Sequence, residues 1–190
     1  MPLLGTLLKN RRAGETNLAW NLPALAGPEL LELRSAGFEH NGAIPQVHAG
    51  RRAGGQNLSP PLTWAGAPEG TAQLLLVIQD VDSPTSAPFV HCVALLEPDL
   101  DALPAGGLNA DSPAPGVRLL RSGMGRGYLG PEPIKGHGPH RYVFQLFALP
   151  APVTAAEGGA APEAAKPREV IAAAHGPALA RGRLDGLFSR

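Results

Sequence analysis

The chain has 190 residues, enough for one ordinary domain with a real core and too few for two comfortable ones. Sixteen basic residues balance sixteen acidic ones, which excludes a global field that would recruit nucleic acid or an anionic membrane surface. A hydrophobic content of 44% excludes a disordered chain, while 24 glycines and 21 prolines predict many turns, few long helices and a loop-rich, mainly β fold.

In chain order, residues 1–29 mix Leu, Arg, Gly and Pro without a sustained period and predict an irregular N-terminal arm with room for one helical turn. The opening MPLLGTLLKNRR carries its charges after the short apolar run and has no small-residue cleavage site, so no secretory leader is expected. Leu31, Leu33 and Ser35 alternate with Glu32 and Arg34, the period of a half-buried strand, and Asn41 with Gly42 marks a turn. Residues 44–55, with His48, Arg51 and Arg52 among small residues, read as a solvated loop. In NLSPPLTW, at 57–64, two prolines remove backbone donors and predict an extended, semi-rigid segment with Trp64 as packing.

Residues 71–80 form a nearly continuous apolar run, as expected of a strand covered on both faces. DVDSP at 80–84 closes that strand and residues 88–96 open the next, a hairpin that brings Asp80 and Asp82 near His91. Residues 97–127 are longer than a usual connection and belong to the class of loops that are commonly functional or mobile. A loop crowded with Gly and Pro then feeds an apolar strand at 143–149, with His140, Arg141 and Tyr142 at the junction. Alternation puts His140 and Tyr142 on one face and Arg141 on the other. Residues 167–174 and 177–184 each begin behind a proline, with Gly176 between them, and predict two helices in a C-terminal helical tail, 164–190, of a single domain.

Asp80, Asp82, His91, His140 and Tyr142 all stand at strand ends. Two acids beside two imidazoles suit a divalent metal, acid and base work, or capture of an anion, and the residue types alone do not choose. The plainer alternative is that each aspartate caps a turn and each histidine satisfies a buried backbone group. His91 and Cys92 are adjacent on a predicted strand and are expected to face opposite sides, which argues against shared metal ligation, and Cys92 reads as a small core residue. No paired cysteines stand at finger spacing and no helical histidine pair brackets a glutamate, so no metal and no cofactor are expected. Ser59, Ser83 and Ser122 sit in no nucleophile elbow, and GMGRG at 123–127 lacks the Lys and Ser or Thr of a phosphate loop. Arg118, Arg121 and Arg126 supply either local positive charge or a solvated loop face.

Taken in order, FEHNGAIPQVH at 38–48, NLSPPLTW at 57–64, DVDSP at 80–84, FVHC at 89–92, GPEPIKGHGPHRYVFQLFAL at 130–149 and HGPALARGRLDGLF at 175–188 resemble the phosphatidylethanolamine-binding protein family, in its bacterial branch of Raf-kinase-inhibitor-like proteins. The resemblance implies a large central antiparallel sheet, a smaller sheet on one side and helices on the other. It also implies a small pocket for phosphate, sulfate, acetate or a phosphorylethanolamine headgroup. On the matching positions, Asp80 and Asp82 are that pocket's acids, His91 and His140 its histidines and Tyr142 its tyrosine, with Glu132 and Pro133 on the rim.

This chain departs from the family pattern at Val81, where a proline is usual, at Cys92, where bacterial members carry Trp, at Glu132, where a small residue or cysteine is usual, and at Ile134, where a second proline is usual. The loss of bulk at Cys92 is expected to be met by a larger neighbour. A carboxylate at the mouth disfavours an anion unless an arginine pairs with it. The acids are expected to hold the two histidines protonated.

Three functions follow as expectations: a module for small anions or phospholipid headgroups, a regulator of a kinase or other enzyme that reads a phosphorylated group, and a hydrolase using the His and Asp cleft. With a single cysteine and no run of about 18 apolar residues, the cytoplasm is the expected location. The resemblance leaves a homodimer open.

Overall fold

The computed structural model describes residues 3–174 and 176–190; Met1 and Pro2 of the opening stretch and His175 of the closing motif lie outside them. The core is a six-stranded sheet in the order β1-β8-β7-β3-β4-β6. Its members are β1 (Gly42–Ala43), β3 (Gln73–Asp80), β4 (Phe89–Leu96), β6 (Val117–Leu119), β7 (His140–Leu149) and β8 (Ala180–Phe188), all antiparallel to their neighbours except β1, which runs parallel to β8. A second sheet pairs β2 (Leu62–Thr63) with β5 (Ala102–Leu103).

β3 is buried along almost its whole length, and its two faces feed two cores. Leu74, Leu76 and Ile78 meet Leu62 and Leu103 of the small sheet and Trp64 just beyond β2, together with Phe144 and Leu146 of β7. Leu75 and Val77 meet Ala19 and Leu25 of the arm and Val170 and Ile171 of helix α2 (Pro167–Ala172). The large sheet is thus a middle layer, with the small sheet on one side and the helical elements on the other. Each leucine removed from water in these layers contributes about 2 kcal/mol.

The arm is less irregular than its composition implies: α1 (Leu3–Leu8) opens it and two short 3-10 turns follow at 19–21 and 23–25. Its docking is set by two buried glutamines. Gln79 accepts from the Ala19 amide at 2.9 Å and from the Gln145 side chain at 3.0 Å, while Gln145 accepts from the Trp20 amide at 2.7 Å.

Three expectations are corrected. The alternation of residues 31–35 is seen in burial, but their pairing is reduced to one bridge, Arg34 to Thr63. The stretch 97–127 is not a single loop, because it supplies β5 and β6. The second C-terminal helix is absent: residues 180–188 form β8, whose alternating burial places Ala180 and Leu184 in the core and Arg181 and Arg183 on the opposite face. β8 pairs along its length with β7, so tertiary hydrogen bonding overrode the local proline and glycine signals. Among the described residues no helix is long and apolar enough to cross a membrane.

Replacing Gln79 with Leu strips two buried donors of their acceptor. The variant is expected to lose about 2 kcal/mol of stability, and amide hydrogen exchange at Ala19 should accelerate while exchange at Val77 follows only global stability.

Candidate functional site

The register of three strands lays out the site. Phe89 of β4, Asp80 of β3 and Tyr142 of β7 stand opposite one another in a single row, so their side chains share one face of the large sheet. His140 lies two residues before Tyr142 on β7 and therefore on the same face, diagonal to Asp80. The even-numbered β7 residues that follow, Phe144 and Leu146, continue into the core on that face.

His91 reaches this row through a β-bulge. Ile78 pairs with Cys92 and Gln79 with Val90, so His91 is the extra residue on β4. The bulge breaks the alternation: Cys92 packs in the core on the face of Ile78 and Phe144, yet His91 lines the cavity with Phe89 on that same side. The expectation that His91 and Cys92 face opposite sides is corrected by this inserted residue. The His91 ring stands edge-on between Phe89 and Tyr142, with both centroid separations 5.0 Å. Cys92 is a buried thiol pushed up to about 12 by desolvation, an inert core residue.

Asp80 has both carboxylate oxygens engaged. Oδ1 accepts from the Asp82 amide at 2.8 Å, and Oδ2 is 2.7 Å from His140 Nδ1. His140 Nε2 is in turn 2.7 Å from Nδ1 of His137, a histidine that the sequence analysis did not single out. Its signal was an imidazole three residues before His140, across Gly138 and Pro139. Asp82 turns away from the cavity: Oδ2 accepts from the Arg141 amide at 2.7 Å, and Oδ1 pairs with Arg12 at 2.7 Å. The departure at Val81 has a structural use, since its amide donates to Arg141 O at 3.2 Å, which proline could not do, and its side chain packs with Leu18 and Val143.

The row closes one end of a cavity of about 540 Å³. Its walls include Asp80, Phe89, His91, Tyr142, Leu129 and Met124, and Arg52, Asn57, Glu132, Pro133 and Ile134 form the rim. Asn57 holds the rim loop. With a left-handed backbone at φ 57, its side chain accepts from the Gly130 amide at 2.7 Å and donates to Tyr128 O at 3.1 Å. Glu132 is exposed, and its Oε1 accepts from the Arg52 backbone amide at 2.9 Å. Its carboxylate lies directly over Gly50, where any side chain would collide with it. That contact is to a neutral backbone amide, and among the described residues no guanidinium or ammonium is within ion-pair distance of Glu132, so the arginine pairing that would offset its charge is not formed.

Two groups on the cavity wall keep hydrogen-bonding capacity. The Tyr142 hydroxyl is buried with no partner among the described residues, and burial, with Asp80 second, pushes it far above the ordinary phenol value. His91 Nδ1 is 2.6 Å from the Leu129 carbonyl and so carries the proton, leaving Nε2 as the ring's remaining polar atom. Burial holds His91 below its ordinary value of 6.5, against an opposing pull from Asp80. The expectation that the acids hold His91 protonated is corrected, because desolvation outweighs the carboxylate. Among the described residues no three His, Cys, Asp or Glu side chains are gathered so as to hold a metal ion.

A family model described as phosphatidylethanolamine-binding protein matches residues 34–189. A UPF0098 protein of Aquifex aeolicus is 32% identical over 169 residues, covering 87% of this chain and 92% of the relative. The crystal structure of Escherichia coli YbcL, described as a member of the mammalian PEBP family, superposes with a TM-score of 0.71 at 25% identity, covering 85% of this chain and 99% of that one. A Chlamydia trachomatis homologue, CT736, has the same fold, with a TM-score of 0.70 at 23% identity over 85% of this chain and 99% of that one.

The state of His91 makes a prediction without any ligand. Below its ordinary value of 6.5 the unfolded chain takes up a proton that the folded chain resists, so this residue makes stability fall as pH drops through that value and below. Denaturant melts between pH 5 and pH 8 should show the fall, and His91→Asn should flatten it by up to about 1.4 kcal/mol per pH unit within the window.

Proposed function

The chain belongs to the phosphatidylethanolamine-binding protein family, and on that premise we propose that its pocket captures a small oxyanion, either free or as the phosphate of a phospholipid headgroup. The observation that carries this reading is the Tyr142 hydroxyl, a buried donor without a protein partner on the cavity wall. An orphaned buried hydroxyl costs about 1–3 kcal/mol, an expense that a ligand oxygen would offset. The His91 ring stands edge-on to the Tyr142 ring at 5.0 Å and Arg52 is on the rim, so two neutral groups and one cation line the cavity that would take an oxyanion.

Asp80 would repel such a ligand if it were a bare carboxylate. Both of its oxygens instead receive donors from within the fold, one from the Asp82 amide and one from His140. The remaining carboxylate near the mouth is Glu132, which suits a ligand that carries an ammonium group besides its phosphate, as phosphorylethanolamine does.

Binding is favoured over covalent catalysis because the serine hydroxyl on the cavity wall is committed. Ser83 Oγ donates to Asp80 O at 3.1 Å, accepts from the Phe89 amide at 3.2 Å and shares a bond with Thr85 Oγ1 at 2.8 Å. A phosphorylated side chain of a protein partner, such as a kinase, would present the same chemical group to the same pocket.

Thermal melts with inorganic phosphate, phosphorylethanolamine and phosphoserine test the reading and separate the sources. A saturable rise is expected, equivalent to about 2.7 kcal/mol at a hundredfold excess over Kd. No shift with any of the three would reject it. Tyr142→Phe should leave the free protein as stable or up to about 1 kcal/mol more so, yet weaken phosphate binding about tenfold. Affinity for phosphate should be higher at pH 6 than at pH 8, because a bound anion favours proton uptake by His91, whose burial otherwise opposes it.

A further inference from the structure

His137 has no role in the pocket as read so far, yet it is almost fully buried, at 2% exposure, and every polar atom of its ring is engaged. Nε2 lies 2.8 Å from Leu8 O and 3.2 Å from Arg11 O. Carbonyl oxygens only accept, so Nε2 carries a proton. At the other end of the chain, Asp80 Oδ2 and His140 Nδ1 are 2.7 Å apart, which also needs a proton between them. The central pair, His140 Nε2 and His137 Nδ1, is again at 2.7 Å. Two nitrogen lone pairs do not sit at that distance without a proton between them. The three links hold one proton more than two neutral imidazoles and a carboxylate would, so the assembly as a whole is neutral. Groups facing it are Asp82 from the same turn, His91 from β4, Tyr142 from β7, Glu132 from the rim and Arg12 from the arm.

The far end of this hydrogen-bonded series is the N-terminal arm, which lies as a strap against the turn after β3 and the loop before β7. Beyond the His137 link, the Ala13 amide donates to Ser83 O at 2.9 Å and the Gly14 amide to Val81 O at 2.8 Å. Arg12 joins Asp82 to the carbonyls of His137 and Pro139. Gly5 of α1 lies so close to Lys135 O and the His137 amide that no side chain fits there. The strap therefore touches the turn after β3 and the loop before β7, the two segments that carry Asp80 and His140.

We infer that His137 is a positioning residue: it holds His140, and through it Asp80, while tying the N-terminal strap to the pocket, so that strap docking and oxyanion binding are coupled. The coupling rests on the proposed oxyanion pocket; the link between strap and Asp80 does not. Two sites biased by one hydrogen-bonded element share a coupling free energy and must respond reciprocally.

Two variants separate the halves of the device. His137→Ala cuts both links. His137→Asn keeps an acceptor where Nδ1 stands but is too short to reach the carbonyls of Leu8 and Arg11. In the wild type, proton NMR should show low-field imidazole N–H resonances; His137→Ala removes those of the two His137 links and leaves the one between His140 Nδ1 and Asp80, while Asn also retains the one from His140 Nε2. Hydrogen exchange at Ala13 and Gly14, whose acceptors are on Ser83 and Val81, should accelerate about tenfold in both variants. Phosphate affinity should fall about tenfold in the Ala variant and by less than about threefold in the Asn variant, with wild-type exchange at Ala13 and Gly14 slowed by saturating phosphate.

Unchanged exchange in the Ala variant, or absence of the low-field protons from the wild type, overturns the inference. Loss of the resonances with phosphate affinity unchanged also overturns it, leaving the pocket reading intact. If the wild type binds none of inorganic phosphate, phosphorylethanolamine and phosphoserine, the pocket reading and the coupling both fail, and the strap link stands or falls on exchange and the resonances alone.

Discussion

A carboxylate at the end of a strand buried on both faces is the constraint from which the site follows. Asp80 is 4% exposed, and an unpaired charge at that depth would cost several kcal/mol. The fold meets the cost with a local donor, the Asp82 amide two residues on, and a distant one, His140, brought within 2.7 Å by the pairing of β3 with β7. Once His140 is used in this way its second nitrogen needs a partner, and His137 supplies it. His137 then needs an acceptor, which the arm provides. One buried charge thus organises a turn, a strand start, a loop and a segment more than 60 residues away in sequence, whose contacts converge on it.

The electrostatic consequence differs from that of a simple histidine pair. The two imidazoles sharing a proton are His140 and His137, and their charge is spent on Asp80. His91 stands apart, tied to the Leu129 carbonyl and kept neutral by desolvation. What remains for a ligand is a hydroxyl, a neutral ring and a rim arginine, a softer environment than two imidazolium ions would make. Glu132 adds to this picture: its carboxylate is held at the mouth by a backbone amide above a glycine, and its charge is felt by both Tyr142 and His91.

Much of the fold was legible in short stretches. The apolar run ending at Asp80 announced a strand covered on both sides, and the acidic turn after it announced the hairpin. Alternation correctly put His140 and Tyr142 on one face. The same rule failed at His91 and Cys92, because a bulge is an insertion in pairing that has no fixed residue signature. It failed more broadly at 177–188: Pro177 after Gly176 looked like a helix start, whereas the alternation in ARGRLDGLF, now seen as β8, was the better signal. Asp82 was read as a pocket residue by its place in a motif, and its side chain instead faces Arg12 and the Arg141 amide.

The sequence by itself determined the composition of the layers and the cast of the site: a buried strand ending in acid, a histidine on the next strand, and a histidine and tyrosine two apart at a strand mouth. These are local, since alternation and turn chemistry act over a few residues. Tertiary structure alone decided which groups share protons and which remain for a ligand. That depends on the β3–β7 register, the bulge at His91 and the arm folding back over the site, contacts between residues 59 to 129 positions apart that no local pattern encodes.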